Sequence, residues 1–225
     1  MSIFIRILII TVFVSWTQIA ASQKANFKEL WGQVKRFEND GLPKSALEVV
    51  EQIAAKATSE KNSPEYIKSL LFKSKYALIL EEEAQLKIVK NFKAEIDKSK
   101  AAEKSILQNM LANMYWQYFQ QNRYKLYNRS NTSEKIDEDD FRTWDLKTLF
   151  GEIQYYYKAS LNEAEVLQNT AIEEFSVIIQ EQKGSKNYRP TLYDILGQNA
   201  LEFFKTLENS ISKPAYKFEI DNPKL

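Results

Sequence analysis

Apolar residues return every three or four positions along most of the chain, which is the period of helices with one buried face. From Asn26 to Glu38, Leu30, Trp31, Val34 and Phe37 fall on one side; Gly41 then stops the helix, and Pro43 suits the first turn of the next. That second helix turns Ala46, Leu47, Val50, Ile53 and Ala54 inward. Ser63 ahead of Pro64 and Glu65 predicts an N-cap for a third helix through Leu70, Leu71, Ala77 and Leu80. A fourth runs from Ala84 to Ile96 with Leu86, Val89, Phe92 and Ile96 inward. The longest runs from Ala101 to about Tyr127, with Leu107, Met110, Leu111, Met114 and Tyr118 facing the core. Its outer face is predicted to carry Gln108, Asn109, Asn113, Gln117 and Gln121.

Periodicity lapses from Asn128 to Asp140, which predicts a surface loop, and resumes in a helix over Phe141 to Leu161 through Leu146, Leu149, Phe150 and Ile153. A further amphipathic helix is expected from Glu163 to Gln180, closed by a loop over Gln182 to Asn187. Thr191 and Asp194 have the spacing of a capping box, opening a last helix from Leu192 to Glu208 that would bury Ile195, Ala200, Leu201 and Phe204. After Pro214 the period changes: Tyr216, Phe218 and Ile220 alternate with polar residues, as in a strand. These elements predict an all-α domain over 23–213 with a short strand-like tail over 214–225, which either pairs back or begins another domain.

Trp31, Leu47, Val50 and Ile53 shifted by 39 residues fall on Leu70, Leu86, Val89 and Phe92. Antiparallel helix pairs of about this length are the unit of α-solenoids. The run Trp31, Val34, Phe37, Gly41, Pro43, Ala46 resembles a tetratricopeptide repeat. The fold expected is therefore a set of antiparallel helical hairpins, stacked in a solenoid-like array or gathered in an irregular bundle.

Residues 1–22 read differently from the rest. Arg6 precedes an apolar stretch from Ile7 to Trp16, and the small residues Ala20, Ala21 and Ser22 precede Gln23, the order of a secretory signal peptide. The apolar run is shorter than the roughly 20 residues of a spanning helix. The expected location is periplasmic or extracellular, with no membrane span after cleavage. Cleavage removes one of 31 basic residues, Arg6, and leaves 30 against 30 acidic ones. A neutral mature chain has no general attraction for nucleic acid or an acidic membrane.

The chain contains neither cysteine nor histidine. Disulfides, lipid attachment through cysteine and imidazole or thiolate catalysis are thereby excluded, and stability must come from a hydrophobic core. The remaining chemical candidates are weak. Asp137, Glu138, Asp139 and Asp140 lack the alternate spacing and glycine of a calcium loop, and suit the N-terminal dipole of the helix after them. Ser210 and Lys213 lie in a connector rather than at the start of a buried helix. Glu81, Glu82 and Glu83 point in different directions, so no acid and base pair can be placed. The expectation is no enzyme, no cofactor and no metal.

One segment stands apart. Tyr115 to Arg129 concentrates aromatics, amides and arginine, the residue types enriched at protein contacts. Tyr115, Trp116, Tyr118, Arg123, Tyr124 and Tyr127 are the candidate partner-binding residues; the alternative is that these aromatics fill a core between helices.

The stretch "ANMYWQYFQQNRYKLYNRS", with "GLPKSALEVVEQI", "TWDL" and "YRPTLYDILGQNALEFF", resembles the N-terminal region of large bacterial α2-macroglobulin-like proteins. The likeness runs in order from about Phe27 to Phe218. It implies a leading helical region whose partners are the downstream macroglobulin domains or another protein. Endopeptidase inhibition is the activity implied for such proteins as a whole. Their thioester needs a cysteine, which this chain lacks, so the chain reads as a non-catalytic interaction module. The alternative is a free-standing scaffold that binds peptide, protein or glycan in a concave groove.

Overall fold

The computed structural model describes residues 26–128, 137–179 and 184–206. The predicted signal peptide and strand-like tail lie outside them. Among the described residues the chain is all-α, with helices α1 (Phe27–Asn39), α2 (Pro43–Glu60), α3 (Ser63–Leu80), α4 (Ala84–Lys98), α5 (Ala101–Tyr127), α6 (Leu146–Ala159), α7 (Ala164–Asn169) and α8 (Leu192–Phe204).

Local chemistry sets most of the boundaries. Asn26 and Glu29 form a reciprocal capping box at the start of α1. Gly41 ends α1 with φ +69°, and Leu42 N–H reaches back to the Phe37 carbonyl at 2.8 Å, closing the C-terminal turn as a left-handed glycine allows. Pro43 then opens α2. The cap of α3 is Asn62 rather than the expected Ser63: Asn62 Oδ1 accepts from Glu65 N–H at 3.1 Å. Ser63 lies inside the helix and its hydroxyl donates to Glu103 at 2.8 Å. The helix expected from Phe141 starts later, because Phe141–Thr143 form a 3-10 turn and Asp145 Oδ1 caps α6 through Thr148 N–H at 2.7 Å. Asp140 serves that turn rather than the α-helix, accepting from Arg142 N–H at 2.9 Å.

The continuous helix predicted over Glu163 to Gln180 is a larger departure. Helix α7 ends at Asn169, and Ile172–Phe175 form a separate 3-10 turn. Between them the backbone is captured by the residues leading into α8. Ile172 N–H donates to the Pro190 carbonyl at 3.1 Å and Leu192 N–H to the Thr170 carbonyl at 2.9 Å, an isolated antiparallel bridge. Two tertiary hydrogen bonds thus override a helical period that the β-branched Thr170 and Ile172 support only weakly.

Helices α1 to α4 pack in chain order, each on the next, as a stacked array of hairpins does. The 39-residue shift is visible in the packing: Val50 and Val89 are both buried, as are Ile53 and Phe92, while Trp31, Leu70, Leu47 and Leu86 are all half-buried. The serial order ends at α5, which touches α3, α4, α6, α7 and α8 and forms the axis of an irregular bundle.

Two cores result. The smaller joins Leu30, Val34, Ala46, Val50 and Ile53 to Tyr76 of α3; the larger gathers around α5. Polar ties hold α1 across α3 at two points. Trp31 Nε1 donates to Glu65 at 2.6 Å, and Tyr76 Oη donates to Glu38 at 2.9 Å. Burial pushes the Glu38 carboxyl up, but hydrogen bonds from Lys75 and Tyr76 and the charge of Lys75 outweigh it and hold the group below its ordinary value.

Candidate functional site

Position along α5 decides what each residue of the aromatic segment can do. Tyr115 is fully buried, with ring centroids 5.3 Å from Phe141, 5.7 Å from Trp144 and 6.2 Å from Tyr156. Its hydroxyl has no hydrogen-bond partner among the described residues, and burial, with smaller contributions from Tyr156 and Glu152, pushes its ionisation far above the usual range. Tyr118 is also buried, edge-on to Phe141 at 4.8 Å. Trp116 is half-buried, stacked on Phe119 at 5.2 Å and edge-on to Phe150 and Phe203. These three are core or core-edge side chains. In this fold Tyr115 and Tyr118 are not surface contacts, because the bundle wraps α5 at that level.

The other three lie beyond a break in the helix. Asn122 leaves helical geometry with φ −113° and ψ 16°, and its Nδ2 donates back to the Tyr118 carbonyl at 2.9 Å. A side chain bonding into the backbone ladder is a recognised cause of such a kink. Past it, Tyr124 is 88 % exposed and Tyr127 47 % exposed. The Arg123 guanidinium lies 5.9 Å from the centre of the Tyr127 ring, in cation–π range. Of the six candidates, Arg123, Tyr124 and Tyr127 are accessible to a partner.

Among the depressions along α5, two bear on the candidate residues and the groove beside them. One, of about 160 Å³, lies against α3 and α4 and is lined by Leu78, Gln85, Met114, Tyr115, Gln117 and Tyr118. The other is a groove between α5 and α8, in two sections of about 260 and 320 Å³ that share Asn113 and Asn199. The first section adds Asn109, Met110 and Ile195; the second adds Trp116, Gln120 and Phe203.

The asparagine at the base of that groove departs from the sequence expectation. Asn109 and Gln108, expected outward, are buried, Asn109 to 2 % exposure. Asn109 Nδ2 donates to Ser160 Oγ and to the Leu196 carbonyl, both at 3.1 Å, and its Oδ1 accepts from Asn199 Nδ2 at 2.8 Å. One amide therefore ties α5 to the end of α6 and to α8. A buried amide needs such partners, since leaving it unpaired costs about 1–3 kcal/mol. The inward face of α8 also differs from expectation: Leu192, Leu196, Ala200 and Phe203 are buried, whereas Leu201 and Phe204 are exposed and Ile195 is half-buried at the groove. Ala200 is buried as expected, and the buried positions recur at intervals of four, four and three, a single helical stripe.

The acidic residues serve as structural partners. Asp137 Oδ1 accepts from Asp139 N–H at 2.9 Å, and Asp140 pairs with the Arg142 guanidinium, which also meets Glu83 at 2.7 Å. Glu81 pairs with Lys87 at 2.9 Å. Among the described residues no group of three or more acidic side chains converges as a metal site, and no helix is long and apolar enough to cross a membrane. Tyr156 and Tyr157 are both pushed up to about 12, mainly by burial, and so are neutral packing groups at ordinary pH.

Fold and site together define an all-α protein of helical hairpins organised around one long aromatic helix, with an exposed aromatic tip and an amide-lined groove. Protein-family models, curated proteins and solved structures provide no match to this chain.

Proposed function

We propose that the chain is an exported, non-catalytic interaction module whose contact surface is the tip of α5. The observation that carries this reading is the exposed pair Tyr124 and Tyr127 beside Arg123, beyond the Asn122 kink. Tyrosine and arginine are the residues that most often anchor protein contacts, because they offer large area and a polar end at small entropic cost. A tyrosine turned almost wholly to water adds nothing to the core. Its placement at the end of the most heavily packed helix gives a partner a rigid anchor.

The resemblance to the leading region of α2-macroglobulin-like proteins supplies the partner class for this reading: macroglobulin domains, or a protease bound with them. The test is capture by the purified chain from an extract of its own source, with identification of what is retained. Retention of macroglobulin domains or a protease, lost at least tenfold in a Tyr124→Ala/Tyr127→Ala variant, supports the reading. Retention that the double variant leaves unchanged, or no retained protein, overturns it. A second reading, a scaffold that binds a ligand in a groove, is favoured by the exposed amides of Asn113 and Gln120 on α5 and Asn199 on α8.

A further inference from the structure

The α5/α8 groove has the chemistry of a site for extended polypeptide. Its rims carry Asn113 and Gln120 on α5 and Asn199 on α8, all exposed. Among the described residues the side chains of Asn113 and Gln120 have no hydrogen-bond partner, and Asn199 uses a single N–H, toward Asn109. Each primary amide both donates and accepts, which matches the alternating C=O and N–H of an unpaired strand.

Asn199 is also held in place. Its partner Asn109 is buried and fixed by Ser160 and the Leu196 carbonyl, so the outward amide starts from a set orientation and less entropy is lost on binding. The apolar floor is divided: Met110 and Ile195 lie in one section, Trp116 and Phe203 in the other. Two separate apolar patches beneath a row of amides suit side chains that alternate along a strand. From Asn109 to Gln120 the helix advances about 16 Å, the length of about five extended residues.

Charge argues for a neutral ligand. Among the described residues the only acidic group lining the groove is Glu202, which accepts from Gln198 at 2.6 Å and lies 3.6 Å from Lys205. The aromatics argue against a sugar, which stacks on an open ring face. Trp116 is stacked on Phe119 at 5.2 Å and takes Phe203 edge-on, so its ring is already engaged within the core.

We propose that this groove binds an extended peptide segment through its backbone, using the side-chain amides of Asn113, Gln120 and Asn199. This goes beyond the tip-of-α5 reading and rests only on the chain being a contact module.

The experiment is selection of a displayed library of random 12-residue peptides on the purified chain, followed by binding of the enriched sequences as synthetic peptides. The expected result is that an Asn113→Ala/Gln120→Ala variant, which removes no hydrogen bond among the described residues, weakens binding at least tenfold with unchanged helicity. N-methylation of single backbone amides in the bound peptide is expected to weaken it by a similar factor, while conservative side-chain changes do so less. No enrichment over the double variant overturns the proposal. So does binding that tolerates every N-methylation, or binding of maltohexaose in place of peptide at the same residues. Failure here with partner capture at Tyr124 and Tyr127 intact removes the groove and leaves the tip; the converse removes the tip and leaves the groove.

Discussion

Replacing Asn109 by aspartate changes almost no volume, so its cost reads the polar network alone. The side chain is 2 % exposed and gives both amide hydrogens away, to Ser160 Oγ and the Leu196 carbonyl at 3.1 Å. Asparagine to aspartate removes both donors, at about 1 kcal/mol each. It also aims an oxygen at the Leu196 carbonyl and asks a carboxylate to ionise out of water. Breaking a buried polar set in a way that leaves an uncompensated charge costs about 3–5 kcal/mol in total. For a chain of this size the melting temperature falls by about 2–4 °C per kcal/mol, so a loss of roughly 10 °C is expected at pH 7. The new carboxyl has a folded pKa raised by burial above its unfolded value. Its penalty is therefore full at neutral pH and shrinks as pH falls toward about 4, where the protonated group regains one donor. The assay is thermal unfolding by circular dichroism for the native chain and the Asn109→Asp variant between pH 4 and pH 7. A fall of less than 2 °C at pH 7 would refute the buried network, because exposed substitutions stay within about 0.5 kcal/mol.

Two further measurements test the packing around the same axis and at the first hairpin. Tyr115→Phe removes a buried hydroxyl with no partner, so the melting temperature is expected to rise by a few degrees, from about 1 kcal/mol or more of relieved desolvation; a fall beyond 2 °C would show that the hydroxyl is satisfied. Glu38→Gln loosens the tie between α1 and α3. The folded pKa of Glu38 is lowered, so its contribution is present above the ordinary carboxylate value of 4.5 and is lost as pH falls through the folded value. With both partners partly exposed, about 0.5–1 kcal/mol is expected at pH 7 and a smaller gap at pH 3; an equal gap at both pH values would sink the assignment.

Helices with one packed face were the more legible in the sequence, and the helix packed on several sides was the least so. In α1, α2 and α4 expected inner residues such as Val34, Val50, Ile53, Val89 and Phe92 are buried, since each helix has one packed face and period identifies it; in α3, which packs on both neighbours, the expected Leu70, Leu71, Ala77 and Leu80 are half-buried and Ile67 and Tyr76 are the buried apolar residues. Helix α5 is covered on most sides, so its buried set runs Ile106, Leu107, Gln108, Asn109, Leu111, Ala112, Tyr115, Tyr118 and Phe119, too wide for a single stripe. Assigning its polar residues outward by default placed Asn109 and Gln108 on the wrong side. The usable signal was local: Asn109 sits inside the apolar run Ile106, Leu107, Met110, Leu111, where a polar residue must either be exposed by a break in packing or be fully hydrogen-bonded.

The same geometry explains why the aromatic segment read as a single contact site and is in fact two things. Composition counts Tyr115 and Tyr124 alike, yet nine residues along a helix amount to two and a half turns, about 13 Å of axial travel. The same nine residues also turn the helix by about half a revolution, so Tyr124 faces away from the core while Leu126, two residues further on, stays buried in it. Tyr115 sits where α6 and the Phe141–Trp144 turn close over it, and Tyr124 sits past Asn122, 88 % exposed among the described residues. Burial at the first level fixes the direction of the helix, and exposure at the second presents the tyrosines. The core aromatics thus act on any partner only through the rigidity they give to the tip, and substitutions at Tyr115 or Tyr118 should register in stability while those at Tyr124 and Tyr127 register in binding.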